Sequence, residues 1–219
     1  LLAGSITLGC GQFCTSPGVI VLFKGAESDA FVQNLTTALA AQKPHAMLTP
    51  GMREAFDAGV GHLIAAGAKP LLKEEGNAEA PRPFLAEVEG AEFIATEQLR
   101  EEVFGPASLV VRVNSLAQAL DVLKAVGGSL TVTLWGAESE SPESRALVRG
   151  AMNIAGRVLF AGVPTGVAVT AAQQHGGPWP SSTQPMTTSV GDTALNRFLR
   201  PVCLQDAPAW LLAREGRPV

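Results

Sequence analysis

Short apolar segments rich in β-branched residues alternate with segments of helical period along this chain, and this alternation limits the fold more than any other feature. Glycine, proline or charged residues bound the apolar segments, as they bound buried strands. The segments predicted as strands are 19–23, 84–89, 108–113, 130–135 and 157–160. The segments predicted as helices are about 28–42, about 52–67, 116–126 and 142–153. Alternating strands and helices predict an α/β fold in which helices cover both faces of a sheet.

Short sequence patterns predict two helix starts and one long loop. Ser115 and Gln118 form a capping-box pair. Ser141 followed by Pro142 is typical of an N-cap with proline in the first turn. Residues 161–192 have no clear period and many Gly, Pro, Ser and Thr residues. Long loops of this kind are often functional, so this segment is a candidate part of the site.

Composition and charge exclude several functional classes. The 219 residues carry 16 Lys and Arg against 20 Asp and Glu, a formal charge of −4, which argues against binding to nucleic acid or to an anionic membrane surface. No apolar run approaches the roughly 18 residues that a membrane span needs. Three cysteines are too few for a disulfide framework and indicate a reducing compartment. We therefore expect a cytoplasmic protein with no nucleic-acid or membrane partner.

Two cysteines lie in a glycine-rich segment near the start of the chain. Cys10 and Cys14 fall within residues 9–18, where small residues leave the backbone open to a ligand. A thiolate in such a loop is a strong nucleophile when a nearby dipole or base stabilises it. On composition alone, a pair of buried structural cysteines is the more common situation. A metal site is not expected, because no second cysteine pair follows and the histidines are isolated.

A second candidate lies at residues 101–106, where two adjacent carboxylates precede an aromatic residue and a Gly-Pro turn. A charged pair of this kind is usually a solvated loop. The functional alternative is that one carboxylate turns inward and accepts hydrogen bonds from the hydroxyl groups of a ligand. The sequence has no Gly-x-Gly-x-x-Gly or other phosphate-binding loop.

Together, these two segments resemble the signature motifs of the aldehyde dehydrogenase superfamily. Gly-Gln-Phe-Cys at 11–14 matches the nucleophile motif, and Glu-Glu-Val-Phe-Gly-Pro at 101–106 matches the second signature, in the family's order and spacing. Segments 156–167, 174–181 and 197–205 are similar to the α-ketoglutarate semialdehyde (2,5-dioxopentanoate) dehydrogenase branch. The resemblance covers essentially the whole chain.

The resemblance implies a fold and a set of residue roles. The fold is the three-layer αβα catalytic domain with a mostly parallel sheet at 1–196, followed by an oligomerisation strand and tail at 197–219. Cys14 would be the nucleophile that attacks the aldehyde and carries the thiohemiacetal and the thioester. Glu102 would bind the hydroxyls of the nicotinamide ribose, and Phe104 would pack against the nicotinamide end of NADP or NAD.

The family pattern is incomplete in this sequence. In the family, the cofactor domain, the general-base glutamate and the asparagine of the oxyanion hole all precede the nucleophile, but few residues precede Cys14 here. We therefore expect a catalytic domain without the cofactor domain, with NADP or NAD bound mainly by a segment outside this sequence. The expected substrate is a small aldehyde, and the full-length protein is expected to form a homo-oligomer. The chain by itself is expected to be inactive.

Other residues and other functions remain as alternatives. His175 could serve as an acid or base near neutral pH, but the family mechanism uses no histidine, so the resemblance favours a loop-ordering role. Trp179, Ser181 and Ser182 are candidates for the border of the substrate mouth.

Two alternative functions are a fatty aldehyde dehydrogenase and a non-catalytic interaction module derived from the family. A substrate that carries a carboxylate would favour a site with a cationic side chain. Arg157 and Arg53 are candidates, but the sequence does not show whether either lies at the site.

Overall fold

A four-stranded sheet lies at the centre of the computed structural model, which describes residues 1–212. The strands, in chain order, are β1 (Val19–Phe23), β2 (Lys69–Lys73), β3 (Phe84–Glu89) and β4 (Ala107–Val113). Their spatial order is β1-β4-β3-β2; β4 is parallel to both of its neighbours, and β2 is antiparallel to β3 at the edge. A separate parallel pair consists of β5 (Ser129–Thr133) and β6 (Ala155–Leu159). The strands are therefore mostly parallel, as expected.

Helices precede and follow these strands. In the described residues they are α1 (Leu2–Thr7), α2 (Ala26–Ala40), α3 (Pro50–Ala65), α4 (Gly90–Ala95), α5 (Leu116–Val126), α6 (Pro142–Ile154) and α7 (Ala209–Leu212). Short 3₁₀ segments lie at Leu8–Gly11, Glu97–Arg100 and Asp192–Phe198. Within residues 1–212, none of the helices combines the length and the apolar character needed to cross a bilayer.

Apolar side chains of the sheet enter two separate cores. On one face, Leu85 and Val110 pack with residues of α1 and α2. On the other face, Val88 and Val111 pack with residues of α3, α4 and α5. All residues of β4 are buried because helices cover both faces. The chain thus has a helix layer on each side of a sheet, which confirms the expected αβα arrangement.

The predicted helix starts are formed by side-chain caps. The Ser115 hydroxyl accepts a hydrogen bond from the backbone N–H of Gln118 at 3.2 Å. The Gln118 side chain accepts in turn from the N–H of Asn114 at 2.8 Å, one residue before the position that the capping-box pattern gives. Ser141 caps α6 by accepting from the N–H of Ser144 at 3.0 Å. Both caps therefore confirm the sequence prediction.

Four elements, namely α1, β2, α4 and α7, lie outside the predicted set, and β5 ends early. β2 lacks the pattern of a buried strand because it contains Pro70 and begins and ends with lysine. At the edge of the sheet it tolerates a proline without an N–H and a bulge between Pro70 and Leu72. The six-residue α4 is too short to show a helical period. β5 ends at Thr133, two positions before the predicted end of that strand.

The long loop and the C-terminal segment are mostly irregular. Residues 160–191 contain no helix or strand, as the composition predicted. The segment expected to mediate oligomerisation, 197–219, begins within a 3₁₀ turn, and residues 199–204 pair with no strand of the described chain. Residues 213–219 lie outside the described residues. The boundary between residues 196 and 197 stays a prediction.

Candidate active site

A left-handed stretch of backbone follows α1 and separates the two cysteines. Gly9, Cys10 and Gly11 have φ values of 54°, 60° and 67°. After this turn the Cys10 side chain lies in the core with 2% of its surface exposed, whereas Cys14 is exposed. Burial raises the pKa of the Cys10 thiol. Cys10 is thus a protonated core residue, whereas Cys14 is not buried with it, so the pair of buried cysteines that composition alone favours is not formed.

The two signature segments meet through their backbones. A Cβ on Gly11 would overlap the carbonyl group of Gly105, and a Cβ on Gly105 would overlap the ring of Phe56 in α3. Both glycines also have positive φ values, 67° and 151°, which side chains disfavour. Glycine at both positions therefore allows the loop that carries Cys14 to pack directly against the turn before β4.

Glu102 borders an open groove between α3 and the segment before β4. The groove has a volume of about 300 Å³, and its lining includes Gly59, His62, Gln98 and Glu102. The exposed Glu102 carboxylate can accept hydrogen bonds from a ribose diol. Phe104 follows on the same segment and is 37% exposed. The volume lies at the lower end of the range for ligand pockets, so the groove can take a small ligand or one end of a large ligand.

His175 lies beside Cys14, a contact that the sequence did not predict. Its Nε2 atom is 3.3 Å from the Sγ atom of Cys14. The backbone N–H of His175 donates to Thr188 Oγ1 at 2.8 Å, and its carbonyl accepts from the N–H and the hydroxyl of Ser189, each at 3.0 Å. These bonds do order the loop, as expected, and they also hold the imidazole against the thiol.

Glycines place the His175 segment over the ends of β5 and β6. A Cβ on Gly156 would lie 2.5 Å from the carbonyl oxygen of Gly176, and a Cβ on Gly177 would lie 2.6 Å from that of Ser129. The backbone at 176–177 therefore packs directly on the backbone of the two strands. The paired glycines after His175 were the available sequence signal, but a loop sequence alone does not show which strands it crosses.

Arg157 in β6 contributes a positive charge to the surroundings of Cys14 and His175. Its Nη1 and Nη2 atoms donate to the carbonyls of Gly166 at 3.0 Å and Pro164 at 2.5 Å. Burial lowers the pKa of Arg157, and the charge of Cys14 opposes that shift. Burial also lowers the pKa of His175, and the charge of Arg157 lowers it further. Because an ordinary imidazole titrates near pH 6.5, His175 is neutral at pH 7.

The other candidates of the sequence analysis lie in different surroundings. Arg53 forms an ion pair with Asp57 at 2.9 Å within α3, and its charge acts on buried Cys10. Trp179 is 72% exposed, and the Ser181 hydroxyl donates to a backbone carbonyl, so their role at the substrate mouth stays a prediction. Within the described part of the chain, no three His, Cys, Asp or Glu side chains are grouped closely enough to hold a metal ion.

Comparison with known proteins gives the family. The chain is 43% identical over 224 residues to α-ketoglutaric semialdehyde dehydrogenase 2 of Azospirillum brasilense. It is 37% identical over 227 residues to α-ketoglutaric semialdehyde dehydrogenase of Acinetobacter baylyi. The chain belongs to the aldehyde dehydrogenase superfamily. Each alignment covers 98% of this chain but only 42% of the relative, so the chain spans less than half the length of these two aldehyde dehydrogenases.

Solved structures show the same fold. The chain superposes on lactaldehyde dehydrogenase from Escherichia coli with a TM-score of 0.70 and 20% identity, covering 91% of this chain and 42% of that one. Aldehyde dehydrogenase structures with this fold include enzymes described as NAD-dependent or as complexed with NADP. No family model matches the chain. The aldehyde dehydrogenase fold expected from the motifs is thereby confirmed.

We expect Gly11→Ala to separate the two signature segments. The new methyl group would overlap the carbonyl of Gly105, and alanine disfavours a φ of 67°, so the free energy of unfolding should fall by about 3 kcal/mol. Gly4→Ala is the matched control, because Gly4 lies in exposed helix with no atom within 4 Å of its Cβ position. Urea unfolding measures both, and equal midpoints for the two variants would contradict the prediction.

Proposed function

We propose that this chain is the nucleophile-bearing catalytic part of an NAD(P)-dependent dehydrogenase that oxidises a small oxo-acid semialdehyde, 2,5-dioxopentanoate, to 2-oxoglutarate. The observation that carries the proposal is an exposed Cys14 thiol next to an imidazole and near a guanidinium, on a loop packed against the second signature segment. The names of both relatives support the substrate class.

Cys14 would form and hold the covalent adduct. Its sulfur attacks the carbonyl carbon of the aldehyde, the C–S bond forms, and the π electron pair moves to the oxygen. The backbone N–H of Cys14 is a candidate donor to that oxyanion. Oxidation of the thiohemiacetal and hydrolysis of the resulting thioester return Cys14 to the free thiol and release the acid.

The groove at Glu102 would receive the reacting end of the cofactor. NAD(P), when bound, supplies the hydride acceptor that the oxidation requires. The Glu102 carboxylate would accept hydrogen bonds from the ribose hydroxyls, and the half-exposed ring of Phe104 would pack against the nicotinamide. Glu101 borders the same groove, so a second carboxylate is available beside the first.

The position of Arg157 favours an anionic substrate over a fatty aldehyde. Its guanidinium is held by two carbonyls of the long loop, and its charge interacts with Cys14. A carboxylate-bearing aldehyde would gain from this charge, whereas a neutral aldehyde would not. The charge of Arg157 near Cys14 supports the oxo-acid assignment independently of the relatives' names.

Exposed apolar side chains and free thiols support proposals for assembly and compartment. Phe198, Leu199, Val202 and Leu204 are each at least 60% exposed, and such a series of apolar side chains is typical of a surface that another subunit covers. We therefore assign 197–219 to oligomerisation and 1–196 to catalysis in a homo-oligomer. Three free thiols support the cytoplasm as the compartment.

We expect an aldehyde to protect Cys14 from alkylation. With limiting iodoacetamide and peptide-resolved mass spectrometry, exposed Cys14 should react faster than buried Cys10. Added 2,5-dioxopentanoate should slow the alkylation of Cys14, because the thiohemiacetal occupies the sulfur, and should leave exposed Cys203 unchanged. Equal slowing of Cys14 and Cys203, or no slowing of either, would contradict the assignment of the nucleophile.

We expect no turnover from the chain alone. It spans 42% of the length of its relatives, and a general base for hydrolysis typically contributes on the order of a hundredfold to ten-thousandfold in rate. The measurement is aldehyde-dependent NADPH formation by the purified 219-residue chain. Detectable NADPH formation that the Cys14→Ser variant lacks would show that this expectation is wrong.

We expect the charge of Arg157 to favour anionic reagents at Cys14. The ratio of iodoacetate to iodoacetamide rates at Cys14 should fall about threefold in Arg157→Gln and less in Arg157→Lys, which keeps the charge. Arg145→Gln is the matched control, because Arg145 is exposed and pairs with Glu140. An unchanged ratio in Arg157→Gln would remove the support for an anionic substrate.

A further inference from the structure

The imidazole of His175 has two nitrogens in different surroundings. Nε2 lies 3.3 Å from the Sγ atom of Cys14. Nδ1 is buried and has no hydrogen-bond partner among the described residues. The residue as a whole is 9% exposed, and its backbone is fixed by Thr188 and Ser189. The ring is therefore largely enclosed, with Nε2 at the thiol and Nδ1 away from solvent.

The surroundings decide which nitrogen carries the proton. A neutral imidazole has one N–H donor and one acceptor nitrogen. A proton on Nδ1 would be a buried N–H donor with no acceptor. An unprotonated Nδ1 would be a buried acceptor with no donor, which costs less free energy. These surroundings favour the tautomer with the proton on Nε2, where it points at the sulfur of Cys14.

The groups around the His175 imidazole determine whether it is neutral or protonated. In the described chain, the titratable groups that face the imidazole are the Cys14 thiol and the Arg157 guanidinium. An imidazolium would place a second N–H at the unpartnered Nδ1 position and a positive charge close to Arg157. Burial and Arg157 accordingly lower the pKa of His175, in that order of importance. The ring at neutral pH is a neutral donor.

We propose that neutral His175 is a positioning residue that donates its Nε2–H to the sulfur of Cys14 and stabilises the thiolate without taking its proton. The proposal rests on the proposed function of Cys14 as the nucleophile. The thiol proton passes to water or buffer base. A thiolate accepts a hydrogen bond far better than a thiol or a thioether, so the contact favours the reactive form of Cys14. Arg157 supplies the accompanying positive charge.

Two amide variants of His175 test the direction of the hydrogen bond. A glutamine side chain places an N–H₂ donor near the position of Nε2, whereas an asparagine reaches only to the position of Nδ1. The rate of Cys14 alkylation is measured from pH 5 to pH 10 in the complete 219-residue chain. His175→Asn should slow alkylation at pH 7 about fivefold and leave the limiting rate at high pH unchanged, because thiolate forms there without help. His175→Gln should stay within about twofold of the parent chain.

Controls within the same molecule exclude unfolding. Cys10 is buried and Cys203 is exposed, so slow alkylation of Cys10 reports an intact fold and Cys203 reports an ordinary thiol. His45→Gln is the matched histidine control, because His45 is exposed and its ring contacts only the carbonyl of Ala46 in the described chain. If His175→Asn exposes Cys10, His175→Leu replaces it with the same expected result.

Three outcomes would overturn the proposal. Equal slowing in His175→Gln and His175→Asn would mean that the ring must accept a proton. If the pH–rate profiles of both variants coincide with that of the parent chain, the contact between His175 and Cys14 has no effect on the reactivity of the thiol. A second step in the parent profile near pH 6 would mean that an imidazolium partner is required. Because these measurements use no aldehyde, they are separate from the aldehyde-protection test of the Cys14 nucleophile.

Discussion

The backbone contact between Gly11 and Gly105 is the constraint on which the rest of the site depends. One glycine belongs to the loop that carries Cys14, and the other to the turn that leads into β4. Because β4 is a fully buried central strand, a loop fixed to its entry is fixed to the most rigid part of the fold. The loop that carries Cys14 therefore takes its position from the sheet and not from its own short 3₁₀ segment. A larger residue at either position would displace the loop and its thiol together.

Residues of the parallel pair β5 and β6 and of the long loop also order the surroundings of Cys14. Arg157 lies in β6 and holds the loop carbonyls at 164 and 166, while Thr188 and Ser189 fix the backbone of His175. A loop without regular structure is thus ordered where it approaches the sulfur, because its own backbone groups are paired with side chains of the site. Burial lowers the pKa of His175 most, and the same guanidinium that anchors the loop lowers it further. On the proposed assignment, anchoring and electrostatics are two effects of one arginine.

The sequence predicted the parts of this structure whose signals are local. Periodicity and caps gave the strands at 19–23 and 84–89 and the starts of α5 and α6, since each depends on residues close in the chain. β2 was missed because its stability comes from pairing with β3 and not from its own composition. The contact of His175 with Cys14 was missed for the same reason: it joins residues 161 positions apart. Resemblance to the family argued against an acid or base role for this histidine, because the family mechanism uses none. Motif positions carry no information on contacts outside the motifs.

The two steps of the proposed chemistry, covalent capture of the aldehyde and removal of the hydride, depend on different parts of the chain. The hydrogen-bond contact of the Cys14 sulfur comes from His175 in the long loop, and the charge of Arg157 in β6 acts on the same thiol, so this environment lies within the described chain. The groove at Glu102 has a volume of only about 300 Å³, which leaves most of a dinucleotide to be held elsewhere. Covalent capture of an aldehyde depends on the first environment, and hydride removal depends on the second. On the proposed assignment, a hydrogen bond and a charge act on the sulfur at short range, so the reactivity of Cys14 would not require the cofactor site to be complete. Loss of cofactor binding would therefore stop turnover while leaving the nucleophile intact.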